Sequence, residues 1–265
     1  MLNQDAICKV CSSKSNLIFR NLIRDKYDVN FYQCTHCGFV QPDEPYWLEE
    51  AYSLSMNLGD TGQVARNLSA KRVLVAIVTF WFDKFAKYLD FASGYGFFVR
   101  IMRDVGFDCY WSDKYTENLL ARGFEADLMD EKYELVTVFE CFEHWSNPDD
   151  EVKSLLRHSS SILFTTNLIS IPAPSPKDWW YYGFDHGQHV SFFTAQSLKF
   201  LANKYNLNFY SKSGFHLLSE KKINPWLFKV VVRLAVSGYL NFLDRFFKSR
   251  TQSDYYYLVT KTVSE

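Results

Sequence analysis

Residues 88–98, YLDFASGYGFF, restrict the fold more than any other stretch of the chain. An apolar run ends on Asp90, a turn carries Gly94 and Gly96, and FFVRIMRDV follows as a helix that Gly106 ends. FDCYWSD then reads as a second strand closing on Asp113. Strand, glycine turn, helix and strand form a right-handed βαβ unit, the start of a doubly wound α/β sheet. A dinucleotide site would place a third glycine three residues beyond the second, where this chain has Val99. Asp90, directly before the turn, repels a phosphate and suits an ammonium group, while Asp113 suits ribose hydroxyls. An amino group and a ribose without a phosphate describe S-adenosylmethionine.

These residues resemble the first motif of class I S-adenosylmethionine-dependent methyltransferases, which runs like LDxGxGxG. The resemblance implies that Asp90, Gly94 and Gly96 line the methionine part of the cofactor, with Ala92 in place of the family's first glycine. An alanine is tolerable there at negative φ, which is the expectation for Ala92. The same resemblance gives Asp113 to the ribose and sets Asp127 and Leu128 by the adenine, with Lys114 and Phe139 completing the cofactor set. Further on, YELVTVFE reads as a fourth strand, Asn147-Pro148 as a capped helix start with acids in its first turn, and SSILFTTN as a fifth strand. LNFYSKSGF and SDYYYLVTKTV read as the last two, the final one matching the family's reversed edge strand. The implied fold is a Rossmann-like, seven-stranded doubly wound sheet.

Four of the six cysteines fall as Cys8-x2-Cys11 and Cys34-x2-Cys37. A two-residue spacer lets both thiolates of a knuckle reach one ion, and Zn²⁺ takes four such ligands tetrahedrally. Four thiolates leave no open coordination position, so the expected zinc is structural, and His36 inside the second knuckle is expected to face solvent. Residues 1–45 are too short to build a core alone and are expected to fold as a zinc ribbon around the metal. Cys109 and Cys141 are expected in the core.

At the carboxyl end of the fourth strand stand Glu140, Glu143 and His144, which share one face if a helical turn forms. The stretch resembles the EVLEH of ubiquinone-type O-methyltransferases and relatives that methylate sugars. That resemblance implies two roles for the three residues: a base for the acceptor's proton, or ligands of a divalent metal. Pocket support is the plain structural alternative. In residues 172–194 three prolines oppose regular structure, and a loop of this length reads as a lid or binding loop. Trp179, Trp180, Tyr181 and Tyr182 are expected to wall a flat or sugar-like acceptor, beside the titratable Asp185, His186 and His189. The segment looks like the HxSFF element of zinc-ribbon methyltransferases from surface-polysaccharide and antibiotic-sugar pathways, and Thr194 should cap the helix that follows.

A net charge of −1 gives no broad footprint for nucleic acid, which weighs against a zinc-ribbon rRNA methyltransferase. The longest apolar stretch, 226–247, is broken by Lys229, Arg233, Asp244 and Arg245, so no membrane span is expected. The opening MLNQDAICKVC holds no apolar signal core, and a cytoplasmic location is expected. The domain expectation is a ribbon over 1–45 and a methyltransferase domain over 46–265, with a helical cap at 46–87 and an amphipathic helix at 225–247. That helix is expected to pack on its own domain, with a lid, a homodimer contact and a membrane-surface patch as its other readings. The leading functional expectation is O-methylation of a small hydroxylated acceptor, a sugar or sugar nucleotide. A partner-binding module on a fold that has lost its cofactor is the non-enzymatic alternative.

Overall fold

The computed structural model describes residues 6–52, 60–129 and 131–264, with side chains to 260. Two sheets organise the chain. The first is antiparallel, β1 (Ala6–Ile7), β2 (Lys14–Ile23), β3 (Tyr27–Cys34) and β4 (Val40–Pro42) in sequence order. Two helices follow, α1 (Leu48–Ala51) and α2 (Gln63–Trp81). In the middle of α2, Val73 to Val78 are all buried, so this helix is covered all round rather than striped. The expected cap over 46–87 is thus partly helical, and the rest of it lies in turns and bends, at Lys87 of β5, or at 53–59, outside the described residues.

The second sheet contains β5 (Lys87–Phe91), β6 (Asp108–Ser112), β7 (Leu135–Val138), β8 (Ser161–Thr165), β9 (Asn208–Lys212) and β10 (Phe215–Ser219). The order is β6-β5-β7-β8-β10-β9, with β5 to β8 parallel and β10 antiparallel to both neighbours. Helices α3 (Phe97–Val105), α4 (Pro148–Leu155) and α5 (Ala195–Lys204) make the connections. Thr194 caps α5 in a reciprocal box with Ser197. Asn147 occupies the cap position of α4, but its side chain makes no capping bond.

Among the described residues the sheet has six strands rather than the expected seven, and its reversed strand is β10 rather than SDYYYLVTKTV. Beyond β6, a single parallel bridge, Trp111 to Glu125, stands where a further strand would lie. SDYYYLVTKTV is helical, within α7 (Thr251–Ser264). A strand would bury alternate residues, yet Tyr255, Tyr256 and Tyr257 are all exposed. The inward positions are Asp254 and Leu258, one helical turn apart. Asp254 takes two 2.8 Å bonds from the buried Arg103 of α3, whose guanidinium also meets Asp108 and stacks 3.6 Å from the Phe124 ring. That bidentate pair places α7 on α3 rather than on a sheet edge.

The 225–247 stretch divides into α6 (Pro225–Val236) and a 3-10 turn over Asn241–Phe246. Gly238, at φ +82°, breaks it. Phe228, Val231, Val232 and Ala235 bury the inner face of α6 within the main core.

Candidate active site

A cavity of about 1920 Å³ opens at the carboxyl ends of β5, β6 and β7, where an open α/β sheet binds ligands. Drug-sized ligands fill ~300–1,000 Å³, so this space holds two reactants side by side. One end is built by the glycine turn. Asp90 is 3% exposed and accepts a 2.6 Å bond from Thr137 Oγ1. Burial pushes its carboxyl up to about 7, reinforced by Asp113 and opposed by bonds from Ser93 and Thr137. Asp113 is fixed by backbone N–H groups of Gly94, Tyr115 and Thr116 at 2.8–2.9 Å.

Gly94 adopts φ +55° with open space where a side chain would begin, so its backbone is free to meet a ligand. Gly96 has another task. A Cβ there would stand 2.9 Å from Asn118 Oδ1 and 3.0 Å from Ala121, so this glycine lets the turn pack and does not line the cavity. Ala92 lines the cavity at φ +56°, which corrects the expected negative φ. The turn demands the left-handed conformation here, and the alanine adopts it at a cost. Lys114, Leu128 and Phe139 also face the cavity. Asp127 is not among its lining residues, and its carboxylate accepts the Met129 N–H. The open Gly94, two carboxylates and the apolar Leu128 and Phe139 fit an adenosyl cofactor carrying an amino group.

The other end is built by the segment after β7 and by the loop at 167–189. Glu140, at φ +51°, stands before the 3-10 turn Phe142–His144 rather than in it. Its carboxylate accepts a 2.7 Å bond from Thr165 and lies 3.5 Å from Arg66 Nε. Glu143 is 1% exposed, and among the described residues its Oε2 has no hydrogen-bond partner. Burial, then the charge of Glu140, pushes its carboxyl up to about 8.

His144 Nδ1 lies 3.1 Å from the Gln188 carbonyl and 2.9 Å from the Tyr52 hydroxyl. His189 Nδ1 lies 2.6 Å from the Tyr181 carbonyl. A carbonyl only accepts, so both Nδ1 atoms carry the proton and both Nε2 atoms are left as free acceptors. Burial pushes His144 down to about 4 and His189 to about 3, and it lowers His186 as well.

One ligand atom from each of Glu143, His144 and His189 falls within 4.8 Å of the others. The expected metal-ligating set of Glu140, Glu143 and His144 is therefore revised. The left-handed backbone at Glu140 turns its carboxylate to Arg66 and Thr165, and His189 stands in the third place. His186 borders the cavity but takes the Gln188 N–H on its Nδ1. Of the four expected wall aromatics, Trp180, 80% exposed, and the buried Tyr181 line the cavity, while Trp179 and Tyr182 pack in the core beneath the ribbon. Tyr52, Arg66 and Thr137 carry no motif that spacing could reveal, since only the fold brings them here.

The cysteines form a second cluster. Sγ distances are 3.6 Å for Cys8–Cys37 and 3.4 Å for Cys11–Cys34, with all four sulfurs within 4.8 Å. A tetrahedron with Zn–S of ~2.3 Å has edges of ~3.8 Å, so the cluster is compatible with zinc. His36 is exposed and outside it.

Residues 63–212 match a family model described as "Methyltransferase domain". No curated protein matches the sequence. Among solved structures, the chain is 14% identical to the plantazolicin methyltransferase in complex with SAH, covering 77% of this chain and 91% of that one at a TM-score of 0.46. An O-methyltransferase family protein from Burkholderia thailandensis is 15% identical, over 66% and 68% of the two chains, at 0.44. The SAH-bound methyltransferase of calicheamicin biosynthesis is 14% identical, over 66% and 60%, at 0.43. With the family match spanning more than half the sequence, and the glycine turn and crevice carboxylates in place, the chain belongs to the methyltransferase-domain family, as an S-adenosylmethionine-dependent enzyme of Rossmann-like α/β fold.

Proposed function

We propose that the chain methylates a hydroxyl group of a small acceptor, a sugar or sugar nucleotide, with a structural zinc held by Cys8, Cys11, Cys34 and Cys37. The observation that carries the reading is the two-ended cavity, one end built by Asp90, Gly94 and Asp113 and the other by Glu143, His144 and His189. When bound, S-adenosylmethionine supplies a methyl group on a sulfonium, which leaves as a neutral thioether. The protein's tasks are to align the acceptor oxygen and to take its proton. Asp90 meets the cofactor's ammonium and Asp113 its ribose.

At the acceptor end, His144 and His189 are neutral throughout the physiological range and offer Nε2 as hydrogen-bond acceptors that orient a hydroxyl. With values near 3 and 4 they are weak bases. Glu143, pushed up to about 8, is the strongest base of the three, and its ionised form, a minority at neutral pH that grows as pH rises, is the one assigned to receive the proton. Trp180, exposed at the cavity rim beside Tyr181, suits the apolar face of a sugar ring. A second reading is favoured by the unpaired Oε2 of Glu143: Glu143, His144 and His189 hold a divalent cation that lowers the hydroxyl's pKa.

The test is methyl transfer from labelled cofactor to a panel of sugar nucleotides, for the wild type and Glu143→Gln, with and without chelator followed by Mg²⁺ or Mn²⁺. The expected result is a loss of ~10²–10⁴-fold in kcat for Glu143→Gln with cofactor affinity kept. Restoration by Mg²⁺ or Mn²⁺ of activity lost to chelator would select the cation reading. Turnover of none of the sugar nucleotides alongside turnover of another hydroxylated class would overturn the acceptor assignment.

A further inference from the structure

The outward side of α6 and the turn behind it expose apolar and aromatic side chains in a segment rich in cations. The inner face is fixed by Phe228, whose ring lies 5.5 Å from that of Tyr210 and 6.1 Å from that of Trp81. At ~100° per residue, Trp226 then points directly away from the core beside a half-buried Val230, with Leu234 on one flank and Lys229 and Arg233 on the other. Trp226 is 71% exposed. Past Gly238, Phe242 and Phe246 are also exposed, 51% and 60%, beside a buried Leu243.

Residues 220–250 hold seven Lys and Arg against two Asp and Glu, a local charge of +5 in a chain of net −1. Asp244 is already engaged by Lys71. Among the described residues, Lys222, Lys229, Arg233, Arg245 and Lys248 have no carboxylate within ion-pair distance.

Large exposed apolar surface with unneutralised charge of one sign restricts what can cover it. A second copy docked symmetrically would bring these unpaired cations against their own counterparts, which opposes that pairing. An anionic bilayer surface satisfies both features: aromatic and aliphatic side chains enter the headgroup boundary while Lys and Arg meet lipid phosphates. No helix among the described residues is long and apolar enough to cross a membrane, so the contact lies along the surface. We propose that the outer face of α6 and the 241–246 turn docks this enzyme on anionic lipid bilayers, independently of the acceptor it methylates.

The test is sedimentation of the full chain with vesicles of phosphatidylcholine alone or with one third phosphatidylglycerol, at low and physiological salt. Binding is expected only with phosphatidylglycerol and should weaken as salt rises. Each basic residue near an anionic surface contributes ~1 kcal/mol, so the triple variant Lys229→Gln, Arg233→Gln, Arg245→Gln is expected to bind ~10²-fold more weakly. Trp226→Ala with Phe242→Ala should also lose binding with an unchanged melting temperature, since both side chains are exposed. Equal binding to both vesicle types, no binding, or variants that bind like the wild type would overturn the proposal. So would a wild-type dimer in light scattering that Trp226→Ala converts to a monomer, because the face would then belong to a second copy.

Discussion

Asp90→Asn tests whether the crevice carboxylate is held there for ligand binding against the interest of the fold. Burial raises the Asp90 carboxyl from 3.8 to about 7, so the folded chain holds this proton more tightly than the unfolded chain does. Stability from this group is therefore greatest below the unfolded value, falls as pH rises towards 7, and stays low above it. Three units at 1.36 kcal/mol each make the full penalty about 4 kcal/mol above pH 7, and about half of it is present at pH 5.5. Asparagine can still accept the Thr137 hydroxyl through its amide oxygen but cannot ionise. In urea melts without cofactor, the variant should gain on the wild type by about 2 kcal/mol between pH 5.5 and 8.5. Calorimetry with S-adenosylmethionine should show the opposite balance. Wild-type affinity rises ~10-fold from pH 6 to 8 as the carboxylate forms, while the variant binds weakly at every pH. A stability gap independent of pH, or a variant that binds the cofactor as the wild type does, would refute the reasoning.

Two further substitutions probe the frame around the site. Ala92→Gly removes a left-handed strain of ~1–2 kcal/mol against an unfolded-state entropy cost of ~0.4–1 kcal/mol, so a gain of a few tenths to 1 kcal/mol and a Tm higher by ~1–4 °C are expected by calorimetry. A lower Tm would mean that the Ala92 methyl packs usefully in the turn. Asp254→Ala leaves the buried Arg103 without its bidentate partner and should cost ~3–5 kcal/mol in urea melts at pH 7. Burial alone would raise the Asp254 carboxyl, but bonds from Arg103 and Arg100 hold it below its usual value. Its stabilisation is present above the unfolded value and lost as pH falls through the folded one, so the gap between variant and wild type should close in acid.

What the sequence revealed was what short segments decide. The β5 turn, α3 and Gly106 follow from local periodicity and glycine placement, and the cysteine knuckles announce themselves by spacing alone. Failures came where a distant partner decides. SDYYYLVTKTV has strand-forming residues, but Arg103, some 150 positions earlier, draws Asp254 inward and selects a helix. The last strand pair carries its turn signal in the sequence. Ser213-Gly214, both at positive φ, form the two-residue turn of a hairpin, so LNFYSKSGF, expected as one strand, spans β9 and the turn into β10. At the site, Glu140 looked interchangeable with Glu143 because a helical turn would align them. The backbone turns over at Glu140, and the third place goes to His189, 49 residues further on in a loop without periodicity.

That loop also explains what a ribbon is doing on a methyltransferase fold. The carbonyl of Cys37 accepts a 2.6 Å bond from the Thr194 hydroxyl, and that of His36 one from Gln196, so the second knuckle grips the start of α5. Val40 pairs with Phe192, the Arg24 N–H reaches the Phe184 carbonyl, and the Trp47 indole donates to the Gly187 carbonyl. Gln188 in turn donates to the Ala51 carbonyl and offers its own carbonyl to His144. The loop from 184 to 194 therefore takes its shape from the ribbon on one side while presenting His186 and His189 to the cavity on the other. The whole segment from 172 to 194, long and broken by three prolines in its first part, would otherwise carry a large ordering entropy of its own. With the zinc proposed above, four cysteines would fix the ribbon; the ribbon's hydrogen bonds shape the loop, and the loop holds an imidazole beside Glu143. The cysteine cluster and the end of the cavity that holds His189 are thus joined through this loop, although the sequence separates Cys37 from His189 by some 150 residues.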